Sequence, residues 1–347
     1  MKKLILLCYG FLATTSVCLA QRTNPNRNND LENQDLNRRR QAREVRNLEL
    51  ERNRIVVKDE RNSRGEIEFT CENKAFCDYI VDVTFTEEQN LQADIPQPIH
   101  ITVAPGTHRI FTLKKITLGQ PTRLSWRYKS FRGVTNPRPD NNFSYLLPVA
   151  PGKETRISEL YYVPGRFGGE PEPLGWYSLG LHVHSGDTVY AARSGRVVET
   201  LEHSEVEDTS SSISYTRGET FVQIYHKDNT FGNYRVFRDS SIFVHPGDWV
   251  EAGQPIGIAG GDKYSSGPQV QFSVTYNHDE EVVKDGESTD RVHHWAYVPI
   301  QFWTKGQGAK HLTNHSTYTS EHPPAVITSE MSKKETKKWM ENHNRTS

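Results

Sequence analysis

Hydrophobic and polar residues alternate along much of this chain with the period of two that is typical of β-strands. The clearest example is residues 78–85 (DYIVDVTF), in which every second side chain from Tyr79 to Phe85 is apolar. Further short apolar runs follow up to residue 162, and Pro-Gly and Leu-Gly pairs between them indicate turns. Short strands with turns at this spacing predict an immunoglobulin-like β-sandwich over residues 55–162.

A second β-rich region begins with a Gly/Pro-rich boundary, and we predict a separate domain over residues 163–322. It contains two similar strand–turn–strand phrases, residues 186–198 (GDTVYAARSGRVV) and residues 246–257 (PGDWVEAGQPIG). In each phrase a Gly-Asp pair turns the chain into a strand, and a later glycine ends that strand. Residues 323–347 are charged and predict a tail with a short helix. The fold class predicted from these patterns is all-β.

The first 20 residues have the pattern of a signal peptide. Two lysines precede an apolar stretch, Leu4–Ala13, and a small-residue cleavage site ends before Gln21. The alternatives are an uncleaved membrane anchor, for which the stretch is short, and lipidation of Cys18. We therefore expect export to the periplasm, the cell envelope or the medium, with membrane contact only through an uncleaved or lipidated N-terminus.

Residues 21–54 hold nine arginines, six acidic residues, eight asparagines and no aromatic residue. Such a segment cannot bury enough apolar area to offset the entropy lost on ordering, so we predict a disordered or partly helical linker. A basic arm that touches an anionic envelope polymer is the alternative. The whole chain has 42 basic and 43 acidic residues, and this balance argues against a nucleic-acid partner.

Four cysteines are present, and export would remove two of them, Cys8 and Cys18, with the signal peptide. The remaining pair, Cys71 and Cys77, predicts one disulfide in an oxidising compartment. Half of a zinc site is the alternative, but no histidine precedes His100 in the sequence to complete it.

The two glycine phrases, with residues 266–268 (SGP) after them, resemble the duplicated hairpin core of lysostaphin-type (LytM-type) zinc endopeptidases. Enzymes of this family cut the peptide cross-links of peptidoglycan. The resemblance covers residues 174–274 and implies a lysostaphin-type β domain of duplicated hairpins, similar to a barrel-sandwich. The upstream sandwich resembles a flanking domain of one exported branch of the family.

The resemblance also implies which residues would carry the chemistry. In the family, two histidines and an aspartate hold one zinc ion, and a further histidine lies near the zinc-bound water. The family motif Gly-Pro-His-x-His-Phe-x-Val reads GPQVQFSV at residues 267–274, so Gln269 and Gln271 replace both histidines. The aspartate position falls on Gly180, and the histidine of the family's Tyr-x-His falls on Val236. Glutamine is a poor zinc ligand, so we predict a pseudo-peptidase without a cofactor.

A shifted metal site is the alternative to a lost one. No histidine lies between His108 and His182, so the upstream ligand of the family has no counterpart. His182 and His184 would share one strand face and offer a substitute pair, and zinc is expected only if they bind it. His293 and His294 would point to opposite sides of a strand, which argues against joint ligation.

Three functions follow from these observations. The first is a catalytically inactive envelope module, whose groove at Gly180, Val236, Gln269 and Gln271 binds a peptidoglycan stem peptide or a cell-wall hydrolase. Degenerate relatives in the family act as activators of cell-wall amidases, which favours this function. The second is a weak zinc metalloendopeptidase with a shifted metal site that acts on peptidoglycan. The third is a structural envelope protein.

Overall fold

The computed structural model describes residues 54–162, 172–203, 220–262, 264, 266–284 and 288–343. The predicted signal peptide and the predicted linker up to residue 53 lie outside the described residues. The first seven strands are β1 (Ile55–Arg61), β2 (Ile67–Asn73), β3 (Tyr79–Gln89), β4 (Leu91–Ala93), β5 (Ile99–Val103), β6 (Gly106–Lys115) and β7 (Arg123–Arg132).

These seven strands form two antiparallel sheets that share one hydrophobic core, and we call this region the sandwich. The strand orders are β1-β2-β6-β4 and β5-β3-β7. The period-two pattern of residues 78–85 is confirmed, because Tyr79, Val81 and Val83 are all buried in this core. Phe69 and Phe111 stack at its centre with ring centroids 4.3 Å apart. The immunoglobulin-like topology stays a prediction.

The remaining elements follow in chain order. Strands β8–β15 are β8 (Ser144–Leu146), β9 (Glu154–Glu159), β10 (Leu179–His182), β11 (Thr188–Tyr190), β12 (Gly195–Leu201), β13 (Phe221–Tyr225), β14 (Phe231–Arg235) and β15 (Phe237–Ile242). Strands β16–β22 are β16 (Trp249–Val250), β17 (Pro255–Ala259), β18 (Gln269–Lys284), β19 (Ser288–Tyr297), β20 (Gln301–Thr304), β21 (Gly308–Lys310) and β22 (Thr317–Thr319). Two helices occur among the described residues, α1 (Pro324–Ile327) and α2 (Lys333–His343). Neither helix has the length and apolar character to cross a membrane.

The second half of the chain is built around a nine-stranded antiparallel sheet, which we call the main sheet. Its order is β16-β12-β13-β14-β18-β10-β9-β22, with β19 paired to β18. Two strands that precede the predicted boundary at residue 162 belong with this half, since β9 pairs with β10 and β8 pairs with β20. The described residues, which begin at Arg54, belong to one compact unit, and the division into two domains stays a prediction.

The two glycine phrases pair with each other. Strand β11 of the first phrase pairs with β17 of the second, and β12 of the first pairs with β16 of the second. Gly186 and Gly247, which open the phrases, have φ values of 87° and 101°, a region that favours glycine. The all-β class and the duplicated hairpin are therefore as the sequence predicts.

Strand β18 extends beyond the main sheet. Its pairing with β14 ends at Thr275, and from residue 277 onward it pairs only with β19. We call this two-stranded extension, residues 277–284 and 288–295, the arm. The arm contacts the β5-β3-β7 sheet of the sandwich, where the rings of His293 and Phe131 stack with centroids 3.7 Å apart.

The predicted disulfide is not formed in the structure. Cys71 and Cys77 are both buried thiols in the sandwich core. The turn between them is held by Asn73, whose amide nitrogen donates to the carbonyl oxygens of Cys77 and Val103 at 3.0 and 2.9 Å. Burial raises the pKa of Cys71 to about 11, so little of the thiolate needed for disulfide exchange is present. The spacing of the two cysteines and the expected oxidising compartment predicted a disulfide across this turn. In the structure, hydrogen bonds from the side chain of Asn73 hold the turn together.

The C-terminal segment is anchored to the main sheet by a buried arginine. Arg193 is 3% exposed and donates two hydrogen bonds to the carboxylate of Glu330, at 3.0 and 2.7 Å. It also donates to Asp228 at 2.8 Å and to the hydroxyl of Tyr145 at 2.9 Å. Burial by itself would raise the pKa of Asp228, but Arg193 and the hydrogen bond from Thr230 hold it below its usual value.

Candidate functional site

Side chains of the first half of β18 alternate between a hydrophobic core and a polar face. Val270, Phe272 and Val274 point into the core on one side of the main sheet. We call the opposite side the outer face. Its β18 side chains are polar but buried, at most 5% exposed, and they are Gln269, Gln271, Ser273, Thr275, Asn277 and Asp279. A row of buried polar groups needs hydrogen-bond partners, and the partners differ along the strand.

The structure brings the four predicted site residues together at one end of the outer face. Gly180 on β10 is the ladder partner of Gln271. A Cβ atom at Gly180 would lie only 2.9 Å from Oε1 of Gln269, so the side chain of Gln269 lies over this glycine. Val236 joins the cluster through Gly260, whose N–H donates to its carbonyl at 2.8 Å and whose own carbonyl accepts from the N–H of Gln269 at 3.2 Å.

These positions are closed rather than open to solvent. Gln269, Gln271 and Val236 are each 1% exposed, and Gly180 is buried as well. Within the described part of the chain, Nε2 of Gln269 and both Nε2 and Oε1 of Gln271 have no hydrogen-bond partner. Burying an amide without partners costs free energy. The site therefore holds unsatisfied donors and an unsatisfied acceptor at the positions where the resemblance places the two histidines of the Gly-Pro-His-x-His motif.

The alternative metal pair does not form one site. His182 lies on the outer face as the ladder partner of Gln269, and its Nε2 is 2.7 Å from the hydroxyl of Ser158. Burial and the nearby Arg156 lower the pKa of His182, which favours the neutral ring. His184 lies beyond the strand, with its side chain 86% exposed and 3.6 Å from a carboxylate oxygen of Asp187.

A charged network at the other end of the outer face escaped the sequence analysis. Arg132 of the sandwich donates to the carboxylate of Glu199 and, at 2.6 Å, to Oε1 of Gln223. Nε2 of Gln223 in turn donates to Oδ1 of Asn233 at 2.8 Å. Burial would raise the pKa of Glu199, but Arg132 and Arg54 keep it below its usual value. The amide of Gln223 is thus fully paired, in contrast to that of Gln271.

The sequence analysis also missed a cluster with the side-chain types of a metal site. Among the described residues, one group of three has its ligand atoms within 4.8 Å of one another: Asp82, His100 and His293. It lies between the sandwich and the arm, not in the predicted groove. Burial would raise the pKa of Asp82, but the contacts of its carboxylate with the two imidazoles lower it to about 2, so the group is a carboxylate at neutral pH. His293 and His294 do face opposite sides of β19, with side chains 1% and 50% exposed.

Comparison with known proteins finds a family match for one part of the chain. The model of Peptidase family M23 matches residues 175–283, and no curated protein matches the chain. The catalytic domain of the prophage-encoded M23 protein EnpA from Enterococcus faecalis is similar at 23% identity, over 38% of this chain and 87% of that one, with a TM-score of 0.26. The catalytic domain of the antimicrobial peptidase lysostaphin from Staphylococcus simulans is similar at 21% identity, over 40% and 86%, with a TM-score of 0.26.

The family match begins just before β10 and reaches almost to the end of β18. It therefore contains both glycine phrases and all four positions of the predicted groove. Residues 175–283 thus match the model of Peptidase family M23, in the part of the chain where the glycine phrases gave the resemblance.

Proposed function

We propose that this chain is an exported, non-hydrolytic relative of the zinc endopeptidases that binds a peptide-like partner where its family would hold the metal. The partner is a peptidoglycan stem peptide or a segment of a cell-wall hydrolase. The observation that carries the proposal is the set of three unpaired amide atoms on Gln269 and Gln271 inside the family region. A peptide that pairs with these atoms recovers the free energy lost in burying them.

The residues at the family positions do not fit a catalytic zinc ion. Such an ion needs three good donors and an open position for water. Gln269 and Gln271 offer only amide groups, Val236 offers an apolar side chain, and the nearby His182 is hydrogen-bonded to Ser158. The side chains at these positions therefore do not support zinc-dependent hydrolysis.

A peptide suits the site better than a purely anionic or apolar ligand. Each amide side chain offers both donors and an acceptor, which match the N–H and C=O groups of a peptide backbone. Access requires a movement, because Cδ2 of Leu160 lies 3.4 Å from the Cβ position of Gly180. The carbonyl of Leu160 accepts the indole N–H of Trp176 at 2.7 Å, so a ligand that enters here must displace a hydrogen-bonded segment.

The test measures binding and hydrolysis in parallel. Full-length protein is incubated with purified sacculi, and bound protein and released peptides are both quantified. The double variant Gln269→Leu with Gln271→Leu should weaken binding at least about tenfold, because a lost amide pairing in a buried contact costs about 1–3 kcal/mol. The matched control is Gln307→Leu, which changes an exposed glutamine on the β20–β21 turn and should bind like the parent.

The alternatives give different results. Zinc-dependent release of peptides from sacculi would show a metalloendopeptidase with a shifted site and would refute the non-hydrolytic proposal. If sacculi do not bind, immobilised cell-wall hydrolases are tested as ligands with the same variants. Binding to neither would leave a structural envelope role as the better account.

A further inference from the structure

Three side chains from three strands meet where the arm lies on the sandwich. Asp82 on β3 and His100 on β5 are direct ladder partners, and His293 reaches them from β19 of the arm. Nδ1 of His100 is 2.5 Å from Oδ1 of Asp82, and Nε2 of His293 is 3.0 Å from Oδ2 of the same carboxylate. Both imidazoles thus direct a ring nitrogen at one aspartate.

The hydrogen-bond partners of His293 fix where its proton lies. The amide nitrogen of Asn277 donates to the carbonyl of Arg132 at 3.3 Å, so its Oδ1 is the atom 3.2 Å from Nδ1 of His293. An amide oxygen can only accept, so Nδ1 carries the proton. In a neutral ring Nε2 then holds a lone pair, and that lone pair faces the carboxylate of Asp82. Two electron-rich atoms at 3.0 Å repel unless a positive charge lies between them or on the ring.

His100 has the matching arrangement on the other side of the carboxylate. Its second nitrogen, Nε2, is hydrogen-bonded to the hydroxyl of Thr135. Each imidazole therefore has one nitrogen held by a neutral oxygen group and the other directed at Asp82. This is the pattern of metal-binding histidines, in which an outer oxygen partner orients the ring and selects the tautomer.

From this arrangement we propose that Asp82, His100 and His293 bind a divalent transition-metal ion of the zinc type. Two imidazoles and one carboxylate are a donor set that zinc accepts, and a water molecule would complete a tetrahedral site. Ligand atoms around tetrahedral zinc are about 3.3 Å apart, so small side-chain rotations from the present separations suffice. Asp82 and His100 have side chains 19% and 17% exposed, which leaves a path for the ion, while His293 at 1% forms the buried wall.

The site differs from the groove in place and in consequence. It joins two strands of the sandwich to the arm, so a bound ion would link the two regions. The stacked ring of Phe131 and the ladder partner of His293, Asp279, line the buried side. Asp279 pairs with the guanidinium of Arg291 through Oδ2 at 2.8 Å, while its Oδ1 has no hydrogen-bond partner among the described residues.

Metal binding to the full-length protein tests the proposal directly. The protein is stripped with a chelator, and Zn²⁺ is titrated in competition with a chromophoric indicator; Co²⁺ serves as the spectroscopic probe. We expect one zinc ion per chain, and a melting temperature that rises with the logarithm of free zinc, because the ion binds the folded state. The readouts are stoichiometry and stability, so no enzymatic activity is required.

Variants then locate the ion. His293→Ala, His100→Ala and Asp82→Asn should each weaken zinc binding by at least about 100-fold, and Asn277→Ala by about 10- to 100-fold through loss of ring orientation. His294→Ala is the matched control, since it removes the adjacent, outward-facing histidine and should bind zinc like the parent. Circular dichroism confirms folding, and His100→Ala decides the result if His293→Ala does not fold.

Two outcomes would overturn the proposal. If the parent binds no zinc and its melting temperature does not change with zinc, the three side chains form only a hydrogen-bonded cluster. If zinc binds but is lost in His182→Ala and kept in His293→Ala, the ion lies in the groove. The second outcome would also refute the non-hydrolytic function, whereas the first would leave that function untouched.

Discussion

Replacing Gln271 with leucine should make the protein more stable and, at the same time, weaken its binding to peptide. Both polar atoms of the Gln271 side chain lack partners among the described residues, and the side chain is 1% exposed. A buried amide in this state has lost its hydrogen bonds to water and gained none. Leucine has a similar volume and no polar atoms, so the substitution removes the penalty without a large cavity.

The expected gain follows from the cost of an unpaired amide. Mutational data place that cost at about 1–3 kcal/mol, so Gln271→Leu should raise the free energy of unfolding by about that amount. The matched control is Gln223→Leu, the same substitution on the same outer face. Its amide accepts from Arg132 at 2.6 Å and donates to Asn233 at 2.8 Å. Removing this amide therefore leaves both partners without these hydrogen bonds. The control should therefore lose about 1–3 kcal/mol.

Denaturant unfolding of the parent and both variants measures these changes as shifts of the midpoint at an unchanged slope. Opposite signs for Gln271→Leu and Gln223→Leu would support the reasoning. Equal destabilisation of the two variants would refute it, because Gln271 would then be paired in the folded protein. If Gln271→Leu is more stable than the parent and also binds sacculi more weakly, the unpaired amide contributes to ligand binding and lowers the stability of the ligand-free protein.

Three further predictions concern stability and thiol chemistry. Arg193→Ala should lower the free energy of unfolding by about 3–5 kcal/mol, because its two carboxylate partners lose their cation. The control Arg196→Ala changes an exposed arginine and should lower it far less; equal losses in the two variants would contradict this prediction. Burial lowers the pKa of His226 to about 4, below its ordinary 6.5. Stability should therefore fall by up to about 3 kcal/mol as the pH drops from 6.5 to 4, and His226→Gln should abolish this slope in pH-dependent unfolding. Alkylation in denaturant without reductant should label both Cys71 and Cys77, and native protein should react slowly; unlabelled peptides would indicate a disulfide.

Local patterns in the sequence predicted the all-β class, and the resemblance carried by the glycine phrases covers the part of the chain that matches Peptidase family M23. Alternation over residues 78–85 places side chains on one face of a strand through backbone geometry alone. The Gly-Asp turns that open the two phrases depend on glycine at positive φ, which is also a local property. These features need no knowledge of distant parts of the chain. The placement of Gly180, Val236, Gln269 and Gln271 in one site came from the family resemblance that these phrases carry.

What covers each face was decided only by the tertiary structure. The resemblance placed Gln271 in a groove but did not show that its side chain is buried with an unpaired amide. Asp82 and His293 are 211 residues apart, and only the packing of the arm on the sandwich brings them to 3.0 Å. The spacing of Cys71 and Cys77 likewise predicts a disulfide, whereas the structure has both residues as buried thiols in the sandwich core. Burial and long-range contacts arise from the packing of several elements at once, so no local pattern encodes them.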